Sequence, residues 1–396
     1  MNQRDALRVV EELRKGIPPV GYVEHFTVGR QSDIDALQGH LDNGNTTVLL
    51  LRANWGSGKS HLLRLVRERA LRMGYAVSYV QLDARSGVRF NRMDQIMGAI
   101  LRQVELPIRG ASIGVRGLMN FLCETIENAR TSDDAEFWDE LSSNGKWDFS
   151  EALKSEGLYV AIRAWMTGDT EAQETVVDWL QNPANYRTQR RRLYETLVSG
   201  LRGHFRDPRP DYQFYQDGVF IFFHDGYRQS WDALQDTHLL LRRAGLKGFI
   251  LLFDEFEDVL TAPNMRIDHQ EAAFWNLFRF FSGKKFEGMS FYAVTPGFVQ
   301  KCKERLIERH RFDFDYSRFD HLPTFAMSPL SERELQELAR RIIAAHALAY
   351  GYEAGPDTVA AVRQVVERAA QSPVQNRARH TIREVVAKLD SLMNFC

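Results

Sequence analysis

The sequence predicts an α/β fold in which a parallel β-sheet is flanked by helices. The apolar run at 46–51 is typical of a buried parallel strand, and a glycine-rich turn and a helical pattern through about Arg72 follow it. Gly74 ends this helix, and a second strand is expected at 76–83. Because parallel strands need a long crossover between them, this strand–helix–strand unit predicts a parallel sheet with helices on both faces.

The elements expected outside this unit are three further strands and helices at both ends of the chain. An amphipathic helix is expected at 4–16, because its apolar residues, Val10 and Leu13 among them, share one face. Ser331 and Glu334 form a capping box that opens another helix. The further strand candidates are 248–253, 289–294 and 324–327, and the last two helices are expected at about 357–370 and 379–393.

The chain is expected to have four parts. The region 90–245 is mostly helical in pattern and lacks a strong strand, so it is expected to be an insertion that carries partner specificity. A clear apolar stripe within it is formed by residues four apart, namely Leu193, Leu197, Leu201 and Phe205. The sheet would then be built from 1–89 and 246–329, and 330–396 would be a helical unit that follows the sheet.

The composition limits the classes of partner. A formal net charge of -1 excludes a strongly basic surface overall, so a nucleic acid would have to meet a local patch. The most basic run, 187–192, is either a contact for phosphate backbones or a solvated helix face, and the second is commoner. Three cysteines without metal-ligand spacing fit a reducing compartment. Because no signal peptide and no apolar run of about 20 residues is present, a cytoplasmic protein without membrane contact is expected.

The segment 53–60 fits the phosphate-binding P-loop pattern except at its first position, where Ala53 stands for glycine. Glycines let backbone N–H groups turn towards phosphates, and the start of the following helix adds positive potential. Lys59 is expected to reach the β- and γ-phosphates of ATP, and Ser60 to ligate Mg²⁺. A glycine-rich turn with an accidental lysine is the alternative, but the strand before the loop and the helix after it favour the P-loop. Trp55 is interpreted as a packed loop aromatic rather than as a base-stacking residue.

Two acidic residues follow the predicted strand at 248–253, at the sheet edge where ligands bind in open α/β folds. Asp254 is expected to hold Mg²⁺ through water, and Glu255 to polarise the attacking water as a general base. An acidic turn at a strand end is the alternative, and the presence of the P-loop argues against it. Glu257 and Asp258, which come next, are interpreted as a solvated acidic face.

Thr295 falls at the end of the predicted strand at 289–294, immediately before Pro296. A polar side chain at this position could hydrogen-bond the γ-phosphate or the attacking water. The alternative is a hydroxyl that caps the next helix, a role that Thr also fills well. The first interpretation is preferred.

Five segments of the sequence resemble, in this order, one bacterial and archaeal family; they are 14–18, 27–30, 56–61, 252–255 and 379–383. The family is that of the ATP-binding proteins of BREX phage-defence systems, and the resemblance is particularly to its BrxD type. It covers most of the chain and is weakest across 90–245. The family belongs to the AAA+/STAND branch of P-loop ATPases. The resemblance therefore implies an AAA+-type parallel sheet, with the Thr295 strand between the P-loop strand and the Asp254 strand, and a helical lid at 330–396.

The resemblance also assigns roles to residues of the site. The segment 28–30 would lie near the adenine, Thr295 would act as sensor 1, and Arg379 or Arg383 as sensor 2 on the lid. Related proteins often have proline before the sensor-2 arginine where this chain has Ala378, so the choice stays open, as does the alternative that both arginines are surface charges. The implied catalytic residues are Lys59, Asp254, Glu255 and Thr295. The residues implied to bind ATP are Gly29, Arg30, Asn54, Trp55, Gly56, Ser57, Gly58, Lys59, Ser60, His61, Arg379 and Arg383, with Ser60 and Asp254 on Mg²⁺.

The resemblance further implies partners. Proteins of the AAA+ branch commonly complete the site with an arginine from the next subunit, which implies a homo-oligomer. The candidates between Thr295 and the lid are Arg305, Arg309, Arg311 and Arg318. Other phage-defence proteins, with a helicase as one candidate, are the further partners. Two functions stay open: an oligomeric motor or loader that acts on DNA or a DNA-bound partner, and a nucleotide-dependent switch that assembles defence proteins without gripping DNA.

Overall fold

A mostly parallel, seven-stranded β-sheet forms the centre of the structure. The computed structural model describes residues 1–83, 86–131, 135–142, 153–198, 212–220, 222–223, 225–260, 265–371, 373 and 376–393. In chain order the strands are β1 (Thr47–Arg52), β2 (Ala76–Gln81), β3 (Val104–Pro107), β4 (Gly114–Arg116), β5 (Phe249–Asp254), β6 (Met289–Val294) and β7 (Thr324–Ala326). Their spatial order is β4-β3-β2-β5-β6-β1-β7.

Helices flank the sheet and form both ends of the described chain. In the described residues, the α-helices are α1 (Gln3–Arg14), α2 (Gln31–Asn43), α3 (Lys59–Arg72), α4 (Met93–Arg102), α5 (Leu118–Thr131), α6 (Ala135–Ser142), α7 (Glu156–Thr167), α8 (Thr170–Gln181), α9 (Arg190–Leu193), α10 (Tyr212–Phe214), α11 (Arg228–Arg243), α12 (Phe256–Leu260), α13 (Ile267–Phe281), α14 (Phe298–Glu308), α15 (Ser317–Asp320), α16 (Glu332–Tyr350), α17 (Pro356–Ala370) and α18 (Arg377–Leu392). Turns of 3₁₀-helix lie at Glu24–Phe26, Pro183–Arg187 and Asp225–Tyr227, and π-helical turns at Tyr194–Val198 and Tyr215–Val219. Of the helices described, none combines the length and the apolar character needed to cross a membrane.

The order of the strands brings three chain segments side by side. β6 pairs in parallel with β1 on one side and with β5 on the other, as the resemblance implied. Arg52 lies opposite Val294, so β1 and β6 end at the same level, and Asp254 is the last residue of β5. β5 and β6 are buried along their whole length, which explains their continuous apolar sequences. The loop after β1, Asp254 and Thr295 therefore come to one edge of the sheet.

The region 90–245, which was expected to lack a strong strand, contains two short ones. β3 and β4 form an antiparallel hairpin that extends the sheet beyond β2. The hairpin gives a weak signal in the sequence because β3 has 4 residues and β4 has 3, and because Glu105 places a charge inside β3. The other described residues of 90–245 are mainly helical, as expected. Of the expected apolar stripe, the first two leucines are buried, while Leu201 and Phe205 lie outside the described residues.

Among the residues that the structure describes, the apolar core consists of three clusters. One cluster fills the space between one face of the sheet and helices α2 and α3, and another covers the opposite face with helices of 90–245 together with α13 and α14. The third cluster joins α1 to α16, α17 and α18, and it contains Val10 and Leu13 of α1 with Leu338 and Val385. The first helix of the chain thus packs with the last three, and the segment that follows it, 16–19, reaches the edge of the sheet.

A buried ion pair connects α3 to the hairpin. Arg67 Nε donates to Glu105 Oε2 at 2.9 Å, and the backbone N–H of Gly114 donates to the same carboxylate at 2.7 Å. The side chains of Arg67 and Glu105 are only 5% and 4% exposed. Arg116, which is exposed, lies farther from Glu105, at 3.6 Å. Removal of Arg67 would therefore leave a buried charge with poor compensation, which is more destabilising than the loss of an exposed pair.

We predict that Arg67→Met lowers the free energy of unfolding by roughly 3 kcal/mol, because it leaves the buried carboxylate of Glu105 with only the exposed Arg116, at 3.6 Å, as an ion-pair partner. Arg67→Met/Glu105→Gln should recover part of this loss. Arg72→Met, which breaks a more exposed pair with Glu24, is the control and should cost about 1 kcal/mol or less. Urea unfolding followed by circular dichroism measures all three. If Arg67→Met behaves like Arg72→Met, the buried pair does not hold the hairpin.

Candidate functional site

A cavity of about 390 Å³ opens at the carboxyl-terminal edge of the sheet. This volume lies in the range of small-ligand sites, roughly 300–1,000 Å³. Polar side chains line the cavity at the sheet edge; they are Lys59, Ser60, Asp254, Glu255, Glu257 and Thr295. Apolar residues line the side below α1, α16 and α18; they are Leu13, Ile17, Pro18, Pro19, Phe26, Val28, Leu330, Leu338, Ala378 and Ile382. The cavity therefore suits a ligand with one charged end and one apolar end.

The loop between β1 and α3 has the backbone that its glycines predict. Gly56 has φ +68° and Gly58 has φ +97°, both in the left-handed region that glycine tolerates. Helix α3 begins at Lys59, so the first turn of this helix, with its free N–H groups, lines the cavity. Ala53, which replaces glycine in the pattern, is outside the left-handed region. Alanine at this position therefore causes no backbone strain.

The ammonium group of Lys59 is held by the loop. Its Nζ donates to the carbonyl oxygen of Ala53 at 3.0 Å, lies 3.4 Å from that of Asn54, and is 5.0 Å from the centroid of the Trp55 ring. Burial lowers the pKa of Lys59, and nearby carboxylates oppose this lowering. The interpretation of Trp55 as a packed aromatic is wrong, because its side chain is 53% exposed and lines the cavity. The backbone carbonyl of Trp55 makes a further contact, with the start of α18.

The start of α18 contacts this loop. The backbone N–H of Asn376 donates to the carbonyl oxygen of Trp55 at 2.9 Å. A Cβ on Gly56 would collide with the Cα of Asn376. Two separate constraints therefore require glycine at position 56: its positive φ and the close approach of α18. Since Arg379 belongs to the first turn of α18, the same contact brings this residue to the cavity.

Three features of the loop and its surroundings fit a bound magnesium nucleotide. Ser57 Oγ is buried and has no hydrogen-bond partner among the described residues, so its hydrogen-bonding capacity is unused. The backbone at Gly56 leaves no room for a side chain. The ammonium of Lys59, the hydroxyl of Ser60 and the carboxylate of Asp254 line the same cavity, and this is the set of groups that phosphates and Mg²⁺ prefer.

The two acids after β5 are held by side chains of β2. Asp254 is buried; its Oδ2 accepts from Tyr79 Oη at 2.6 Å, and its Oδ1 from the backbone N–H of Glu255 at 3.0 Å. Glu255 has φ +55°, which is uncommon for a residue other than glycine, and Gln81 Nε2 donates to its Oε2 at 3.1 Å. Tyr79 and Gln81 were not predicted as site residues. The sequence carries one signal that could have identified them: Tyr79 and Gln81 are two residues apart at the end of an apolar strand, so their polar groups lie on the same face of the sheet.

The interpretation of Glu257 as part of a solvated acidic face is wrong, because Glu257 is buried. Its carboxylate accepts from the backbone N–H of Thr295, from Thr295 Oγ1 and from Lys301 Nζ, each at 2.7 Å. Burial raises the pKa of Glu257, but the hydrogen bonds from Lys301 and Thr295 outweigh it, and the net pKa is lowered. The carboxylate is therefore ionised at neutral pH. The side chain of Asp258 lies outside the described residues.

Thr295 does not cap the helix that follows it. The N-cap residue of α14 is Gly297, which makes no side-chain capping bond, and the hydroxyl of Thr295 is bonded to Glu257 instead. Thr295 also lines the cavity between the loop after β1 and the acids after β5. Its side chain is therefore available to a ligand rather than to the helix.

The segment at 28–30 supports the loop after β1. Arg30 is buried and donates to the carbonyl oxygen of Ser57 at 2.6 Å and to that of Ser328 at 2.9 Å. A Cβ on Gly29 would collide with Glu334, which belongs to the capping box of α16. Arg30 and Gly29 thus join the loop, the chain before α16 and the helix itself. The guanidinium of Arg30 is used in these contacts.

The two arginines expected on the last helix both lie beside Gly16. A Cβ on Gly16 would lie 3.0 Å from Arg379 Cγ and 3.3 Å from Arg383 Cδ. Arg379 lines the cavity, whereas Arg383 does not. Of the other predicted site residues, Gly29 and Asn54 also lie outside the lining, and all the rest belong to it. The cavity therefore favours Arg379 over Arg383.

His61 is a half-buried residue on the first turn of α3. Its Nε2 lies 2.8 Å from Thr27 Oγ1, and the Thr27 hydroxyl donates to the carbonyl oxygen of Val23 at 2.8 Å. His61 Nε2 is therefore the donor towards Thr27. Burial, together with the positive charges of Arg30 and Arg64, lowers the pKa of His61 to about 4.

The fold and the cavity define a class of protein: a mixed α/β protein with a ligand cavity at the carboxyl edge of a mostly parallel sheet. The family model described as BREX system ATP-binding protein BrxC/D matches residues 1–199 and 226–396, and the chain belongs to this family. Membership indicates ATP binding and a role in BREX phage defence together with other proteins of the BREX system. No curated protein and no solved structure shows significant similarity to the chain.

We predict that Gly56→Ala weakens binding of a fluorescent ATP analogue at least about tenfold, because the new Cβ collides with Asn376 and strains the loop. Gly110→Ala is the matched control, since Gly110 also has positive φ (+75°) but a Cβ there meets no described atom within 4 Å. Titration by fluorescence anisotropy measures both variants. Equal affinities for the two variants would contradict the role given to the contact with α18.

We predict that stability falls between pH 6.5 and pH 4 partly through His61. The folded pKa is about 4 and the ordinary value is 6.5, so only the unfolded chain takes up the proton in this window. This contribution of His61 to the free energy of unfolding is present above pH 6.5 and is lost as the pH falls towards 4. Each such histidine contributes on the order of 2 kcal/mol between pH 7 and pH 5. Thermal melts at both pH values should therefore differ less for His61→Asn than for the wild type.

His238 provides the control, since burial and the charge of Arg242 lower its pKa to about 4 as well. His238→Asn should flatten the pH dependence by a similar amount, and the two variants together should flatten it further. If His61→Asn leaves the dependence of the wild type unchanged, His61 is not held neutral in the folded protein.

Proposed function

We propose that this chain is a cytoplasmic P-loop ATPase of the AAA+/STAND branch and of the BrxD type, which binds and hydrolyses ATP in the cavity. The observation that carries this proposal is the convergence of Lys59, Ser60, Asp254 and Glu255 on one cavity at the sheet edge. These residues come from the start of α3 and from the end of β5, which are far apart in the sequence, so their convergence depends on the fold. The spatial order of β1, β6 and β5 agrees with the AAA+ assignment.

The binding residues follow from the chemistry of the lining. The first turn of α3 and the ammonium of Lys59 would hold the phosphates. Ser60 and Asp254 would hold Mg²⁺, which neutralises phosphate charge when bound. The apolar side of the cavity, with Pro18, Phe26 and Ile382, would take the adenine. Arg379, at the start of α18, would face the phosphates as sensor 2.

The hydrolytic step would use the acids after β5. Glu255 accepts the proton of the attacking water, and Gln81 holds its carboxylate at 3.1 Å until the site is filled. Asp254 is oriented by Tyr79 Oη at 2.6 Å, so the carboxylate does not have to be ordered when the ion enters. Thr295, between the two strands, would act as sensor 1.

At the level of the BREX system, we propose an oligomeric motor or loader that acts on DNA or a DNA-bound partner. The arginine finger would come from a second copy of the chain. Within one chain, Arg311 pairs with Glu271 at 2.6 Å and Arg318 with Asp315 at 3.1 Å, so either would have to leave its partner to act in trans. Arg305 and Arg309 are the other candidates.

A switch that assembles BREX proteins without gripping DNA is the second candidate function. The formal net charge of -1 favours it, because a protein that tracks DNA needs a basic surface. In the most basic run, Arg191 is exposed but pairs with Glu195 at 2.9 Å. The response of ATP turnover to DNA separates the two functions.

We predict that the purified protein hydrolyses ATP in the presence of Mg²⁺. Lys59→Ala should lose nucleotide binding, because it removes the ammonium group of the loop. Glu255→Gln should bind ATP and cleave it at least about 100-fold more slowly, because it removes the general base. Glu304→Gln, an exposed glutamate on α14, is the matched control and should behave as the wild type. Phosphate release and anisotropy titration measure turnover and binding.

The same assay with duplex DNA at low and moderate salt distinguishes the functions. Turnover that DNA stimulates and that salt returns to the basal rate supports the motor. Turnover that ignores DNA supports the switch. A wild-type protein that neither binds nor cleaves ATP would contradict the proposal as a whole.

A further inference from the structure

We propose that Glu257 is a positioning residue, which orients Thr295 so that its hydroxyl accepts a hydrogen bond from the attacking water. This inference rests on the proposed ATP hydrolysis and adds a residue to its machinery. Thr295 could contact either the γ-phosphate or the attacking water, and this inference assigns it to the water.

The geometry joins the ends of two neighbouring strands. Glu257 belongs to α12, the short helix after β5, and Thr295 directly follows β6. One carboxylate oxygen accepts the backbone N–H of Thr295 and the other accepts its hydroxyl, both at 2.7 Å. Two bonds to one residue fix both its backbone and its side-chain rotamer. All three groups are buried, so water does not compete for these bonds.

The direction of the hydroxyl bond follows from the charge of Glu257. Lys301 Nζ lies 2.7 Å from the same carboxylate oxygen, and a carboxylate beside an ammonium group has no proton to give. The hydrogen between Thr295 Oγ1 and Glu257 Oε1 is therefore that of the threonine. Because a hydroxyl has one hydrogen, Thr295 can offer only its lone pairs to the cavity.

A lone pair repels a phosphate oxygen and accepts a hydrogen bond from water. In the hydrolytic step, the water would keep one hydrogen directed at Thr295 Oγ1 and give the other to Glu255. The water oxygen bonds to phosphorus as the phosphorus–oxygen bond to ADP breaks. Thr295 thereby orients the nucleophile, and Glu257 orients Thr295.

Glu257→Gln tests this role with little change of shape. An amide has one acceptor oxygen where the carboxylate has two, so its nitrogen faces either the backbone N–H or the hydroxyl of Thr295, and one of the two bonds that orient Thr295 is lost. Thr295→Val removes the hydroxyl, and Thr295→Ser keeps it. Lys303→Met is the matched control, since it removes a lysine of the same helix, α14, that pairs with Asp320 rather than with Glu257.

The experiment is a double-mutant cycle on steady-state ATP hydrolysis, with binding of a non-hydrolysable ATP analogue measured in parallel. We expect Glu257→Gln and Thr295→Val each to lower kcat about 10- to 100-fold, while KM and analogue affinity stay within about twofold. The double variant should be no slower than the slower single variant, because both remove the same contact. Thr295→Ser and Lys303→Met should stay within about threefold of the wild-type kcat.

Losses that multiply in the double variant would overturn the inference, as would a Glu257→Gln variant with wild-type kcat. A wild-type protein without hydrolysis would overturn the proposed function and this inference with it. Thermal melts establish that each variant is folded. If Glu257→Gln does not fold, Glu257→Asp takes its place in the cycle. The shorter side chain of aspartate reaches Thr295 less well, so kcat should again fall. The double variant with Thr295→Val should again be no slower than the slower single variant.

Discussion

The cavity depends on one contact between distant parts of the chain, the hydrogen bond from the backbone of Asn376 to the carbonyl oxygen of Trp55 at 2.9 Å. It sets α18 against the loop after β1, at a glycine where no side chain would fit. Helix α1 is joined to α18, because Arg14 donates to Asp390 at 2.8 Å and the two helices share an apolar cluster. The apolar wall, which α1, α16 and α18 carry, is therefore held over the sheet edge by a contact with the loop after β1.

The polar half of the cavity has a different organisation, in which each strand end is held by its neighbour. Tyr79 and Gln81 of β2 bond to Asp254 and Glu255 after β5, and Glu257 bonds to Thr295 after β6. These bonds run across the parallel sheet, so the order of the strands decides which group can hold which. A site built in this way is ordered before its ligand arrives, which reduces the reorganisation that binding and reaction require.

Much of this arrangement could be predicted from the sequence, because its strongest signals are local. The apolar runs of β1, β2, β5 and β6 and the glycines of the loop are visible within a few residues. Other features depend on contacts between distant segments. The burial of Glu257, the exposure of the Trp55 ring and the choice of Arg379 over Arg383 follow from which elements meet, and no local pattern carries that information. The β3–β4 hairpin was missed because its strands are short and one carries a buried charge.

The most direct test of the central claim is an experimental structure of the full chain with Mg²⁺ and a non-hydrolysable ATP analogue. The account predicts the triphosphate against the loop at 56–60, with Asp254 and Ser60 beside the ion and the adenine against Pro18 and Phe26. Helix α18 should keep its contact with Trp55 or close further. A nucleotide bound elsewhere, or a nucleotide in the cavity with its base rather than its phosphates at Lys59, would contradict the account.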